Sequence, residues 1–281
     1  MIVDTHIESW RTRPLMLVQR TFRTHFHRKF AGDVRLLMPF LPRCGVFLDI
    51  GANHGRYTLE LSRVHSGNCR VLAFEPFDDN YRILSGVTRA RKNVECFHTA
   101  LSDQEDDCEL LVPIEEGRLA PGGSFIPAAD EWSQLAGSSG RYLRQVVRRR
   151  TLDRFVSQHG VVRIDFIKMD VQRHEPRVIA GGITTLSQHR PTMVMEADPA
   201  SVARRCLDDR TMVQVLVDLG YRIFDLDLGP AGRWCDQPDQ AIEAVLAGHK
   251  HHDLLCWHPA GPVPGEPPEF GGEFRRTLYG K

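Results

Sequence analysis

From residue 46 onward, short apolar or β-branched runs alternate with longer amphipathic stretches. The runs are VFLDI (46–50), RVLAFE (70–75), NVECFH (93–98), DFIKMD (165–170), TMVMEA (192–197), YRIFDL (221–226) and DLLCWH (253–258). Helix-length segments at 55–65, 78–91, 174–188 and 208–219 separate most of them. Near-continuous apolar runs joined by helices read as βαβ units whose parallel strands are buried on both faces, an α/β chain.

The pattern changes at three places. Residues 1–43 carry Phe22, Phe26, Phe30, Leu36, Leu37 and Phe40 at roughly helical spacing and end at Leu41-Pro42, a helical segment rather than a domain. Between 100 and 150 the alternation breaks, and Gly, Pro and Ser dominate 115–140, so 114–150 reads as a loop-rich insertion or lid. Its end, RYLRQVVRRR, holds five arginines in ten residues, read first as a solvated face and second as a seat for an anion. Residues 259–281 are Pro/Gly-rich and are expected to be irregular.

Composition narrows the class. The 281 residues balance 36 basic against 36 acidic side chains, so bulk charge points to neither nucleic acid nor membrane. Seven cysteines stand singly without a CxxC pair, which favours reduced thiols and a cytoplasmic location. No apolar run approaches the roughly 18 residues of a membrane span.

The candidate chemistry begins where the first strand ends, at DIGANHG. A Gly-rich turn at a strand's carboxyl end bares backbone to a ligand at a helix start. Here the middle glycine of a dinucleotide fingerprint is Asn53, within Gly51-Ala52-Asn53-His54-Gly55, so a pyrophosphate is disfavoured and an NAD-linked oxidoreductase with it. About 25 residues on, Glu75-Pro76 closes the second strand with an acid able to accept both ribose hydroxyls. Each feature alone is an ordinary turn or a surface acid; at this spacing they describe a ribose and a small zwitterion, the two ends of S-adenosylmethionine.

DIGANHGRYT, AFEP, NVECFHTALSD, TLDRF with DFIKMDV, RPTMVMEAD and HDLLCWHP follow in order the pattern of FkbM-type methyltransferases, which the chain resembles over roughly 46–258. The resemblance implies a Rossmann-like class I methyltransferase domain over 44–258, with a seven-stranded, mostly parallel sheet, helices on both faces and the last strand antiparallel. It also implies O-methylation of a hydroxyl on a sugar, polyketide or other secondary metabolite. Carried over by residue, the methionine end of the cofactor falls near Asp49, Gly51, Asn53 and Gly55, the ribose on Glu75, and adenine along Ala100, Leu101, Ser102 and Asp103. Asp170 falls next to the transferred methyl. One departure stands out: the family reads Asp-Val-Glu-Gly-x-Glu where this chain has Asp170-Val171-Gln172-Arg173-His174-Glu175. A helix start tolerates Gln and Arg, whereas an acid needed for chemistry would be missed.

Methyl transfer needs an oxygen aligned opposite sulfur and a base within reach of its proton. Asp170, His174 and Glu196 are the candidates, at or just beyond the carboxyl ends of adjacent strands; His174 attracts notice because free imidazole titrates near neutrality. A metal route finds no ligand cluster of diagnostic spacing: His251-His252-Asp253 and His25/His27 lack the arrangement of a zinc site, and no metal is expected. The expected partner is a small hydroxylated acceptor, with no nucleic acid and no membrane. The competing reading is a non-catalytic module that binds S-adenosylmethionine and holds an anionic partner on 141–150.

Overall fold

The computed structural model describes residues 34–127, 131–132, 135, 140–226, 234–235, 237–247 and 252–267. Strand β1 (Gly45–Ile50) leads into α1 (Arg56–Leu61), β2 (Cys69–Phe74) into α2 (Asp78–Thr88), and β3 (Val94–Phe97) closes this half. Then come β4 (Ala100–Ser102), β5 (Asp107–Glu115), β6 (Arg118–Leu119) and β7 (Tyr142–Thr151). The second half runs α3 (Leu152–Gln158), β8 (Phe166–Met169), α4 (Glu175–Ala180), α5 (Ile183–His189), β9 (Thr192–Ala197), α6 (Pro199–Ala203), β10 (Arg205–Leu207), β11 (Arg210–Thr211) and α7 (Met212–Asp218). It ends with β12 (Arg222–Asp225), β13 (Trp234–Cys235), α8 (Pro238–Ala247) and β14 (His252–Trp257).

The main sheet is ordered β13-β12-β14-β9-β8-β1-β2-β3. β1, β2, β3, β8 and β9 are parallel, while β14 runs antiparallel to both β9 and β12. This is the expected class I arrangement with its reversed last strand, widened to eight strands because the two residues of β13 add an edge to β12. Alternate residues of each strand feed different cores, as the pleat requires. Leu48, Ile50, Ile167, Met169, Met193 and Met195 pack with residues of α3 to α7. Phe47, Phe166, Val194 and Leu255 pack with Leu61 of α1 and with Val34, Leu37 and Phe40. Of the segment read as helical, 1–43, the described end forms a turn over 34–37 and a 3-10 turn at Met38–Phe40, while residues 1–33, with His25 and His27, lie outside the described residues.

Three sequence expectations change. The helix expected over 174–188 breaks at Gly181 and Gly182, because the chain passes so close to β4 that a Cβ on Gly181 would lie 1.9 Å from the Ser102 carbonyl oxygen. The helix expected from 208 starts only at Met212, after the β10–β11 hairpin whose turn holds Asp208 and Asp209 at positive φ. The segment read as loop-rich, 114–150, carries the long strand β7, paired antiparallel with β5 from Asp107 opposite Arg148 to Pro113 opposite Tyr142. Three of its arginines pair with acids in or just before β5: Arg144 with Glu109, Arg148 with Asp107 and Arg149 with Asp106. Residues 259–267 form no helix or strand, and Val263 accepts a hydrogen bond from Trp257 Nε1 at 3.1 Å. The rest of the tail, 268–281, lies outside the described residues. Among the described residues no helix is long and apolar enough to cross a membrane.

Candidate active site

The sheet order reverses between β1 and β8, and both strands end at the same level: Asp170 N donates to the Ile50 carbonyl at 3.0 Å. A crevice opens there, as in other doubly wound sheets. Beyond β1 the N–H groups of Gly51 and Ala52 both donate to the Phe74 carbonyl, folding the turn back over the end of β2. Gly51 has φ +75°, and a Cβ on it would sit 1.9 Å from the Asp170 carbonyl oxygen. Gly55, at φ +78°, presses on Leu84 of α2. Both glycines are thus demanded first by the protein's own packing.

The turn aims Asn53 N–H at Glu75, whose Oε2 accepts it at 2.7 Å; Oε1 accepts Phe77 N–H at 2.9 Å and Asn80 Nδ2 at 3.5 Å. Glu75 is only 5% exposed, and burial pushes its carboxyl up to about 7 against the pull of those N–H donors. It lines a cleft together with Gly51, Asn53, Ala100 and Leu101. Leu110, Phe125 and Ile126 of the insertion form the opposite wall.

Not every expected contact reaches this cleft. Gly55 and Asp49 are not among its lining residues. Asp49 is fully buried, its Oδ2 accepting from Thr58 Oγ1 at 2.6 Å, while Oδ1 makes no hydrogen bond. Ser102 and Asp103 also turn away: Ser102 Oγ meets His174 Nε2 at 2.9 Å, and Asp103 pairs with Arg177 at 2.7 Å. Of the adenine segment, only Ala100 and Leu101 face the cleft.

At the other end of the cleft stand Asp170 and Gln172. Gln172 Nε2 donates at 3.1 Å both to Asp170 Oδ1 and to Glu196 Oε2, so one amide clamps two acids. Lys168 Nζ lies 3.6 Å from Asp170 Oδ2, and burial of Asp170 is outweighed by that cation and by Gln172, which hold its carboxyl below the usual range. Glu196 is pushed up to about 8, by burial first and then by the Asp170 charge. Two acids with separated affinities for a proton are what acid–base chemistry near neutrality needs.

His174 does not join them as a base. It is 6% exposed, and burial drives its pKa down to about 3, so it stays neutral at working pH and cannot supply the ionisation near pH 6–7 expected of it. It stands at the start of α4, which packs against β4.

Against models of known families, residues 49–223, more than half the chain, match the methyltransferase FkbM domain. The chain belongs to the FkbM methyltransferase family. Among curated proteins it is 29% identical over 172 residues to the AMB antimetabolite synthetase AmbE of Pseudomonas aeruginosa, a match covering 50% of this chain and 8% of that much longer protein. Among solved structures it is similar to methyltransferase FkbM from Methylobacillus flagellatus KT, at 16% identity and TM-score 0.42, covering 76% of this chain and 44% of that one. It is also similar to SMU.1697c, a putative methyltransferase from Streptococcus mutans in complex with SAH, at 8% identity and TM-score 0.42, covering 82% and 98%.

The FkbM motif explains the backbone where this chain departs from it. Gln172 and Arg173 are not in a helix: their φ values are +52° and +73°, and α4 starts only at Glu175. The family's glycine at 173 suits that left-handed conformation, so helix propensity is the wrong measure of the exchange. Arg173 is held there by Asp198, 2.6 Å from its Nε. The retained Glu175 has a structural task, accepting Val171 N–H at 3.0 Å to close the 171–174 turn. Lys168, absent from the sequence candidates, is the residue the structure adds. Among the described residues no group of three or more His, Cys, Asp or Glu is arranged to hold a metal.

Proposed function

We propose that this FkbM-family protein transfers a methyl group from S-adenosylmethionine to a hydroxyl of a small biosynthetic intermediate, in the cytoplasm. The observation that carries the reading is a cleft lined by the buried Glu75 and by Asp170 and Gln172, with Gln172 linking Asp170 to Glu196. The residues suit the cofactor. Glu75 has both oxygens fixed by backbone donors and retains lone pairs for two ribose hydroxyls. Leu101 gives adenine an apolar wall, and the 51–53 turn receives the amino-acid end. The bound cofactor supplies an electrophilic methyl; the chain's residues do the rest. Asp170, which lines the cleft, orients the acceptor hydroxyl, and the Asp170–Glu196 pair takes its proton.

The acceptor class rests on the wall formed by Leu110, Phe125 and Ile126, which limits it to a small molecule, and on the relative AmbE, an antimetabolite synthetase. The test is calorimetry with S-adenosylmethionine followed by a methyl-transfer screen over sugars, polyketides and peptides. We expect cofactor binding, methylation of at least one hydroxylated acceptor, and a turnover loss of about 10²-fold or more in Asp170→Asn. Binding without turnover across the panel makes the protein a non-catalytic member; no binding removes the reading.

A further inference from the structure

A second pocket opens beside the cofactor cleft, and His174 and Ile126 line both. His174 closes the 171–174 turn that follows directly from Asp170, so the shared wall leads to the reaction end. Ile126 and Trp132 of the insertion give the pocket an apolar side. Its other walls carry Arg149 of β7, Arg177 of α4 and Arg204, which follows α6, together with two acids, Asp103 and Glu109.

Each arginine already has an acid. Arg149 pairs with Asp106 and Arg204 with Glu131, neither of them among the lining residues, while Arg177 pairs with Asp103 at 2.7 Å. Glu109 is taken by Arg144, whose guanidinium lies 5.8 Å from the centre of the Trp132 ring. The lining therefore presents three guanidiniums against two carboxylates, and it also presents unspent donors. A guanidinium carries five N–H groups, and Arg177 gives Nη1 to its acid and Arg204 gives Nη2. Both side chains are only partly buried, so a ligand can reach the rest of each fork. The elements that carry them, α4 and α6, pack together. Two such forks on one pocket suit an oxyanion that each can grip with parallel N–H groups.

We propose that this pocket seats the methyl acceptor and that the acceptor carries an anionic group, a carboxylate or a phosphate, bound by Arg177 and Arg204. This rests on the methyltransferase reading. An acceptor anchored there lies against Ile126 and crosses the His174 wall, which brings its hydroxyl toward Asp170. His174 suits the crossing. Ser102 Oγ gives its one proton to Asp103 Oδ1 at 3.0 Å, so in the 2.9 Å contact His174 Nε2–H is the donor and Nδ1 keeps a lone pair on an uncharged ring. The selection for charge falls to the arginines.

The test follows the arginine Nε–H NMR signals of the full chain with three probes: glycerol, glycerate and glycerol 3-phosphate. Both anions should shift the Arg177 and Arg204 signals saturably while glycerol leaves them in place, and the tighter anion tells whether the acceptor bears a carboxylate or a phosphate. Arg204→Gln should weaken the anions by about tenfold or more. Calorimetry should show the same S-adenosylmethionine affinity with and without saturating glycerate, because the two occupy different pockets. In the methyl-transfer screen, anionic acceptors should outpace their neutral analogues. No saturable shift with either anion, shifts that survive unchanged in Arg204→Gln, competition with S-adenosylmethionine, or a preference for the neutral acceptor overturns the proposal; the wild-type arms decide even if the variant does not fold. Failure to bind S-adenosylmethionine strikes the methyltransferase reading and leaves the arginine shifts as they are, so the two failures are distinguishable.

Discussion

Ser102 Oγ and His174 Nε2 lie 2.9 Å apart, both out of solvent, joining β4 to the start of α4. His174 lines the cleft, yet the contact ties its ring to β4 and burial keeps it neutral. Its folded pKa, about 3, is below the ordinary 6.5. The unfolded chain therefore takes the proton first, and the stability His174 contributes is complete above pH 6.5 and is lost as pH falls toward 3. His174→Ala should leave the shape of the pH–rate profile unchanged between pH 6 and 8. It should destabilise the protein by about 1–3 kcal/mol at pH 7 through the orphaned hydroxyl and the lost packing, with the loss shrinking at pH 4. A rate step near pH 6.5 that vanishes in the variant restores His174 as the base.

Glu75 and Glu175 behave in the opposite sense. Burial raises both to about 7 from an ordinary 4.5. The folded protein binds more protons than the unfolded chain between these values, so the stability they contribute is complete below 4.5 and is lost as pH rises through about 7. His174 opposes them below 6.5, which leaves 6.5 to 8 as the clean window, where the ligand-free protein should lose stability. Glu75→Gln should lessen that fall in calorimetric melts, with Glu175 and Glu196 carrying the rest, and weaken S-adenosylmethionine binding about tenfold or more, roughly 1.4 kcal/mol. Unchanged affinity in the variant removes the ribose assignment.

What could be read from the sequence depended on how local its cause was. The Gly51 turn and Glu75 were legible because a strand end, a glycine pair and an acid at fixed spacing are short-range signals, and the structure joins them through the Asn53–Glu75 hydrogen bond. The mostly parallel sheet with its reversed last strand followed from the family motifs. Lys168 was not legible: in a strand it reads as an isolated polar residue, and its partner Gly51 is 117 residues away. His174 was misread for the same reason, since Ser102, which helps bury it, is 72 residues away. The 174–188 helix was expected to be continuous because nothing in the amphipathic pattern shows that Gly181 must pass over the Ser102 carbonyl. The arginines of β7 needed the register of β5 to reveal their acidic partners.

Gly51 is where fold and ligand share one requirement. Gly51→Ala places a Cβ 1.9 Å from the Asp170 carbonyl oxygen at φ +75°. Left-handed strain and overpacking together should destabilise the protein by about 2–5 kcal/mol. Melting temperature and cofactor affinity should therefore fall together. A variant of normal stability that only loses the cofactor would mean the glycine serves the ligand alone.

The insertion should respond to ligand at its rim. Phe125 and Leu111 already exchange two backbone hydrogen bonds, at 2.9 and 3.0 Å, which anchors that edge. Gly122 and Ser124 line the cleft on the preceding 3-10 turn, Pro121–Gly123. Hydrogen exchange should slow about tenfold or more at Gly122–Ser124 when cofactor binds, with Phe125 nearly unchanged. Equal exchange in the two states would mean the wall does not close.

The exchanges at 172 and 173 separate into one that bears on chemistry and one that does not. Gln172→Glu replaces the amide that donates to Asp170 and Glu196, each at 3.1 Å, with a third carboxyl between them. Two hydrogen bonds are lost and like charges crowd, so at pH 8 the variant should be destabilised by about 1–3 kcal/mol. Its rate profile should also shift to higher pH, because Glu196 then binds its proton more tightly. Arg173→Gly relieves a residue at φ +73°, about 1 kcal/mol, and loses an ion pair whose arginine side chain is 57% exposed, at most about 1 kcal/mol. These nearly cancel, and stability and turnover should stay close to wild type. Comparing the two variants at pH 7 decides what Gln172 does: a slower Gln172→Glu means the amide is part of a working reaction end, and a faster one means the chain has lost a useful acid.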